Sequence, residues 1–417
     1  MDRYLVISAD MHAGATVLGY KPYLASTWHD QFDAWAATVS SRWAEDATDD
    51  EYRCRFDSAF RQARLDEQGI VAEVFFPDTQ PPFYPSNAVF ASQPRTQEDY
   101  ERRFAGLQAH NRWTVDFCAE APGRRKAPVQ VFLYDIDDAV AEIRWAAAHG
   151  LSAVLVPAIA PNHVLEGLWS ERYDPIWAVC EELGLPVNQH IGAGTPDVSG
   201  HPADGAALMY EVHWFARRSL WHMIFGGVFE RFPDLQLVMT EEGLGWVLPE
   251  LRRLDHYVEN VVRRTDLAQS KFGSPALSKL SLTPTEYFHR NCWIGASSLP
   301  PAEIGCRHEV GVDRIMWGAD YPHPEGTIPH NREALRATFA AVPEPECRAI
   351  LGENAAAIYG FDLDALRPIA ERIGPTVAEI ASPLDAYPAD SNFEVYLGPL
   401  HPRPGDLAAF SGAVTAL

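Results

Sequence analysis

The sequence predicts a (β/α)8 barrel, a closed ring of eight parallel strands covered by helices, on three observations. Eight short, β-branched and almost continuously apolar runs recur along the 417 residues. Between most of them the apolar residues return every three or four positions, as on one face of a helix. No glycine-rich GxGxxG turn follows the first run, as an open nucleotide-binding sheet would require. Strands covered on both faces read as unbroken hydrophobic runs, and that is the pattern here.

In chain order the predicted strands are Leu5–Ser8, Ile70–Phe76, Pro128–Leu133, Ala153–Pro157, Pro186–Ile191, Leu235–Thr240, Cys292–Gly295 and Arg314–Trp317. Residues 10–69 are too long for a simple βα loop and carry Trp28, Trp35 and Trp43, so they are expected to form an inserted lid or pocket wall. The barrel is expected to occupy residues 1–372. Residues 373–417 are proline-rich but hold Phe393, Val395, Tyr396 and Leu397, too apolar for a free tail. They are expected to pack as a C-terminal extension on the barrel or on a partner subunit.

Composition narrows the function. With 57 acidic against 34 basic residues the net charge is -23, which repels phosphate backbones and anionic membrane surfaces, so neither nucleic acid nor membrane is expected as a partner. The six cysteines stand singly, as reduced thiols in a cytoplasmic protein would. No export signal is read at the N-terminus, and no apolar run approaches the roughly 18–20 residues that cross a bilayer. A homo-oligomer stays open.

Barrel enzymes carry their reactive groups where strands end. Asp10 and His12 follow the first strand two positions apart, on one face of extended backbone; His190 ends the fifth; Glu241 and Glu242 follow the sixth; Asp320 follows the eighth, with His323 and Glu325 in the next turn. Each alone has an ordinary structural use. Either aspartate can cap a turn, a single histidine can be a hydrogen-bonded loop residue, and the two glutamates suit the start of the helix containing Trp246 to Leu254. Glu325 has no claim beyond proximity. Imidazoles and carboxylates gathered at the ends of four strands are nevertheless the ligand types that divalent metals select. Of the adjacent glutamates, Glu241 is predicted to face the site, because it follows Met239 by two positions.

The segments ISADMH, RFPDLQLVMTEEGLGWVLPELRRLD, IMWGADYPHPEG and ILGENAAAIYGFD resemble the amidohydrolase-related (amidohydrolase family 2) metal-dependent barrels, from Leu5 to Asp362. That family typically takes an HxH pair from the first strand, one histidine each from the fifth and sixth, and an aspartate from the eighth. By position these become Asp10 and His12, His190, Glu241 and Asp320. Asp10 and Glu241 depart from the family's histidines, the fourth strand lacks a lysine, and His323 is an added imidazole.

With these departures the chain resembles a branch of dinuclear non-haem iron monooxygenases of terpenoid biosynthesis. The resemblance implies two divalent ions, iron favoured over manganese or zinc, held by Asp10, His12, His190, Glu241, Asp320 and His323. It assigns catalytic roles to Glu241, Asp320 and His323, with O2 as co-substrate, an electron-donor protein or reductant, and a bulky hydrophobic substrate. Trp28, Trp35, Phe83, Tyr84, Trp214 and Trp293 are candidates to line its pocket, and Arg124-Arg125-Lys126 or Arg217-Arg218 to hold a carboxylate or carrier handle. The alternative is an amidohydrolase-type hydrolase or decarboxylase acting on a small carboxylate or amide.

Overall fold

The computed structural model describes residues 2–39, 50–85, 93–161, 163–197, 200–264, 266 and 268–391. Nine parallel strand segments build the barrel: β1 (Val6–Ala13), β2 (Ile70–Pro77), β3 (Arg125–Lys126), β4 (Pro128–Gln130), β5 (Ala153–Leu155), β6 (Val187–His190), β7 (Leu237–Thr240), β8 (Cys292–Ser297) and β9 (Ile315–Gly318). β1, β2 and β3 pair in that order, as do β4 through β9. Only Ala127 separates β3 from β4, so the two together form the third barrel stave, one broken by a single residue.

The ring meets itself between β9 and β1. Met11 bridges Tyr321, the Asp320 amide donates to the Asp10 carbonyl at 2.9 Å, and the His12 amide donates to the Tyr321 carbonyl at 2.8 Å. Ser8 Oγ accepts from the Ala319 amide at 2.9 Å and ties the same seam. Gly318 makes this approach possible, because a Cβ there would lie 2.8 Å from both the Asp10 Cβ and the Ser297 Oγ.

All eight residues of β1 are buried, which explains the continuous apolar run. It extends to Ala13, so Asp10 and His12 stand inside the strand and not beyond it. The Tyr359 hydroxyl accepts from Asn188 Nδ2 on β6 at 2.7 Å.

A buried ionic triad fixes one side of the barrel. Arg61 Nη2 and Arg125 Nε donate to the Glu73 carboxylate at 2.6 and 2.9 Å, with none of the three side chains more than 1% exposed. Burial alone would raise the Glu73 carboxyl, but the two guanidiniums outweigh it and hold it below the ordinary range. Arg61 Nη1 also donates to the His12 carbonyl at 2.8 Å, so the triad anchors the backbone of a site residue. Arg125 is thereby committed, and Arg124 donates to Asp66 at 2.6 Å, so these two arginines of the run are structural and not a handle for substrate.

Residues 14–39 and 50–69 form 3-10 turns and short helices. Leu24, Trp28, Phe32, Trp35 and Phe83 pack there into one apolar cluster. Residues 40–49 of the expected insertion, with Trp43, lie outside the described residues. Trp293 sits near the start of β8, away from the mouth; its Nε1 donates to the Asp313 carbonyl at 3.1 Å and Arg314 lies over its ring. Its expected place in a substrate pocket is corrected accordingly. The chain after residue 373 returns to its beginning. Tyr4 N donates to the Pro375 carbonyl at 2.9 Å, and Arg332 pairs with Glu379 at 3.0 Å. Phe393, Val395, Tyr396 and Leu397 lie outside the described residues. Among the described residues no helix is long and apolar enough to cross a membrane.

Candidate metal centre

The six side chains singled out in the sequence converge at the C-terminal ends of β1, β6, β7 and β9. His12 Nε2 lies 3.5 Å from Asp10 Oδ1 and 3.2 Å from Asp320 Oδ1. His190 Nε2 lies 3.4 Å from Asp10 Oδ1, and its Nδ1 lies 3.4 Å from Glu241 Oε2. His323 Nδ1 lies 2.9 Å from Asp320 Oδ1. The rings of His12 and His323 stack at 4.0 Å, while His190 meets His12 edge-on at 5.0 Å.

The backbone aims these groups. Glu241 and Asp320, each just past a strand, have φ of 59° and 56°, the left-handed region that non-glycine residues rarely enter. Both turn sharply at the barrel rim, and in both the side chain comes back toward the other ligand atoms. Glu241 and Glu242 precede the helix Val247–Arg263 and lie outside it, so the expectation that they open that helix is corrected. Glu242 turns away to Arg217, whose Nη2 lies 2.7 Å from its Oε2. That leaves Arg217 neutralised within the protein. Arg218 donates to the Ile159 carbonyl at 3.2 Å and lies over the half-exposed Trp214.

A divalent cation fits this set. Both His12 ring nitrogens, Asp320 Oδ1 and His323 Nδ1 are buried and make no hydrogen bond, although they crowd within 3.2 Å of one another across two of these pairs. Donors and acceptors this close normally pair; these are misaligned with each other, as atoms sharing a third centre would be. His190 Nδ1 donates to its neighbour's carbonyl, that of Ile191, at 3.1 Å, leaving Nε2 as the ligand-ready nitrogen beside Asp10. Among the described residues, ligand atoms lie within 4.8 Å of one another in three groups: Asp10, His12 and His190; His12, Asp320 and His323; and Glu241, Asp320, His323 and Glu325.

Without a cation the cluster shares protons. Burial lowers His12, and the nearby His323 charge lowers it further. Burial also opposes protonation of His190 and His323, yet the carboxylates prevail: Glu241 and Asp10 lift His190 to about 9, and Asp320 and Asp78 lift His323 to about 12. Asp320 is pulled down to about 2 by His12 and His323 against its burial. Glu241 moves the other way, because burial and the Asp320 and Asp10 charges outweigh His190 and push its carboxyl well above the usual carboxylate range.

Two participants, Ser297 and Asp78, were missed in the sequence, and a third, Glu325, was given too little weight. Ser297, at the end of β8, donates to Asp10 Oδ2. Glu325, credited only with proximity, joins a ligand group. Asp78 is the first residue after β2, buried, with its Oδ1 3.6 Å from His323 Nε2 and its Oδ2 paired with Arg55. The rule that finds the other ligands, polar residues at strand ends, finds Asp78 and Ser297 as well once β2 and β8 are included.

A barrel with imidazoles and carboxylates converging at its mouth defines a class, the metal-dependent amidohydrolase-type enzymes. The amidohydrolase family model matches residues 77–361, more than half of the chain, and the chain belongs to that family. Among solved structures it is similar to an amidohydrolase from Mycobacterium avium subsp. paratuberculosis K-10, at 21% identity and a TM-score of 0.63 over 86% of this chain and 99% of that one. A 5-carboxyvanillate decarboxylase from Novosphingobium aromaticivorans, solved with bound manganese and a nitrobenzoic acid, matches at 21% identity and a TM-score of 0.64, over 86% and 97%. A 2,6-dihydroxybenzoate decarboxylase from Rhizobium matches at 18% and 0.59, over 87% and 99%.

These findings overturn the expectation of an O2-dependent iron monooxygenase acting on a terpenoid. Several of the enzymes that share the fold across most of both chains are decarboxylases, and 5-carboxyvanillate decarboxylase from Novosphingobium aromaticivorans was solved with manganese. Iron and O2 have no support among them. The physical reason the sequence misled is that carboxylate-rich sites serve redox-inert Lewis acids as readily as they serve iron.

Proposed function

We propose that this protein is a metal-dependent decarboxylase of a small aromatic carboxylic acid. The observation that carries the reading is the set of buried, unpaired ligand atoms of His12, Asp320 and His323 at the barrel mouth, in a fold shared with decarboxylases that act on 5-carboxyvanillate and 2,6-dihydroxybenzoate. Asp10, His12 and His190 are assigned to one divalent ion, and Asp320, His323 and Glu325 to a second, with manganese the favoured metal. When bound, such ions supply Lewis-acid stabilisation of negative charge on the substrate's oxygens.

The chain's own residues must supply a proton, because decarboxylation replaces a carboxylate with hydrogen. Glu241 is placed for this. It joins the group of Asp320, His323 and Glu325 while facing His190 of the other group, and burial with the Asp320 and Asp10 charges raises its carboxyl, which favours the protonated form. The proton passes from Glu241 to the ring carbon, the electron pair of the breaking C–C bond returns to the ring, CO2 departs, and water reprotonates Glu241. His190 and Asp320 flank Glu241 and set its charge balance.

The test is CO2 release by manganese-loaded protein from a panel of hydroxylated benzoates in D2O. The expected result is CO2 without any need for O2, and one deuterium on the carbon that lost the carboxylate. Hydrolysis of amides or esters with no CO2 from any carboxylate would overturn the reading in favour of a hydrolase.

A further inference from the structure

We infer that Asp78 is the positioning residue that sets which nitrogen of His323 faces the metal centre, and that it does so as half of a buried pair with Arg55. The inference rests on the proposed metal centre but not on the reaction carried out there.

The His323 ring is held between two carboxylates on opposite edges. Its Nδ1 is 2.9 Å from Asp320 Oδ1, and its Nε2 is 3.6 Å from Asp78 Oδ1. Of the two, Asp320 belongs to the converging ligand groups and Asp78 does not. Two edges thus receive different duties. A carboxylate beside Nε2 keeps the ring proton there, which leaves the Nδ1 lone pair for a cation. Carboxylate–imidazole–metal arrays orient their ligands in this way.

Asp78 is itself held. Its side chain is 8% exposed, its other oxygen pairs with the Arg55 guanidinium, which is 6% exposed, and its amide donates to the Ala13 carbonyl at 3.1 Å. Arg55 in turn accepts from the Gly14 amide through its carbonyl at 3.1 Å, so the two members of the pair are fastened at Ala13 and Gly14, one and two residues beyond His12. The first strand therefore supplies one ligand directly and steadies another through Arg55 and Asp78. His323 lies in a turn after β9 and is 24% exposed, so it has the least packing of the three histidines and the greatest need for such a hold.

The experiment compares full-length wild type, Asp78→Ala, and the charge-neutral double variant Arg55→Gln/Asp78→Asn, each with circular dichroism as the check on folding. Mn2+ affinity and stoichiometry are read from the free-ion paramagnetic resonance signal, and the His323 tautomer from 15N shifts in Zn2+-loaded protein. In Asp78→Ala one of the two ions is expected to weaken about 10–100-fold, with His323 losing its single Nε2-protonated form. The double variant retains an amide oxygen beside Nε2 and no unpaired buried charge, and is expected to recover most of the affinity. A folded Asp78→Ala protein with wild-type Mn2+ binding and an unchanged tautomer would show that Asp78 only neutralises Arg55. Equal loss in both variants would overturn the orienting role, as would a wild type that binds no Mn2+. Absence of decarboxylation by a wild type that does bind Mn2+ would count against the proposed reaction alone.

Discussion

Adjacent glutamates face opposite ways at the end of β7: Glu241 Oε2 lies 3.4 Å from His190 Nδ1 inside the metal cluster, while Glu242 Oε2 lies 2.7 Å from Arg217 Nη2 on the helix Pro202–Phe225. The left-handed turn at Glu241, just past the end of β7, separates them.

Their replacements should therefore fail differently. Glu241→Gln is expected to keep the fold and lower the rate of CO2 release about 100-fold or more, the usual worth of a positioned proton donor. Glu242→Gln is expected to retain activity in the folded protein but lose about 1–3 kcal/mol in urea denaturation, because its carboxylate is 1% exposed and Arg217 loses its partner. The reverse pattern would exchange the two assignments.

Elemental analysis of manganese-loaded protein is expected to give two ions per chain. His12→Ala should cost the first ion, since its ring touches both carboxylates of the seam. Glu325→Ala should weaken only the second, because Glu325 belongs only to the group containing Asp320 and His323. One ion in fully active wild type would merge the two sets into a single centre.

Metal affinity and metal-free stability should move in opposite directions with pH. His190 is lifted to about 9 from an ordinary value near 6.5. A raised histidine contributes stability in full below its unfolded value, and this contribution is lost as pH rises through about 9. The metal-free protein should accordingly lose stability between about pH 7 and 9, while Mn2+ affinity rises over the same window as protons cease to compete. Denaturant titrations and Mn2+ binding at several pH values check both halves, and parallel trends would contradict the shared-proton cluster.

Glu73→Gln should destabilise the protein by about 3–5 kcal/mol, because it leaves Arg61 and Arg125 buried without their shared carboxylate. Since Arg61 also holds the His12 carbonyl, surviving protein should bind Mn2+ more weakly. Unchanged metal affinity in the folded variant would show that the triad acts on stability alone.

The barrel was legible in the sequence because its strands are buried on both faces and so write themselves as apolar runs; Ile70–Phe76 reappears as β2 with one residue added. The convergence of Asp10, His12, His190, Glu241 and Asp320 was legible for a related reason: in this fold polar residues at strand ends have one common place to go. Residues whose role depends on a partner distant in the chain were not. Nothing in the sequence says that Asp78 lies beside His323, that Arg125 spends its charge on Glu73, or that Trp293 stands at the far end of its strand. Local pattern records which face a side chain takes, since that is set by backbone periodicity. Which buried charge meets which is decided only when the ring closes at Asp10 and Asp320, because desolvated charges must find partners across the fold and not along the chain.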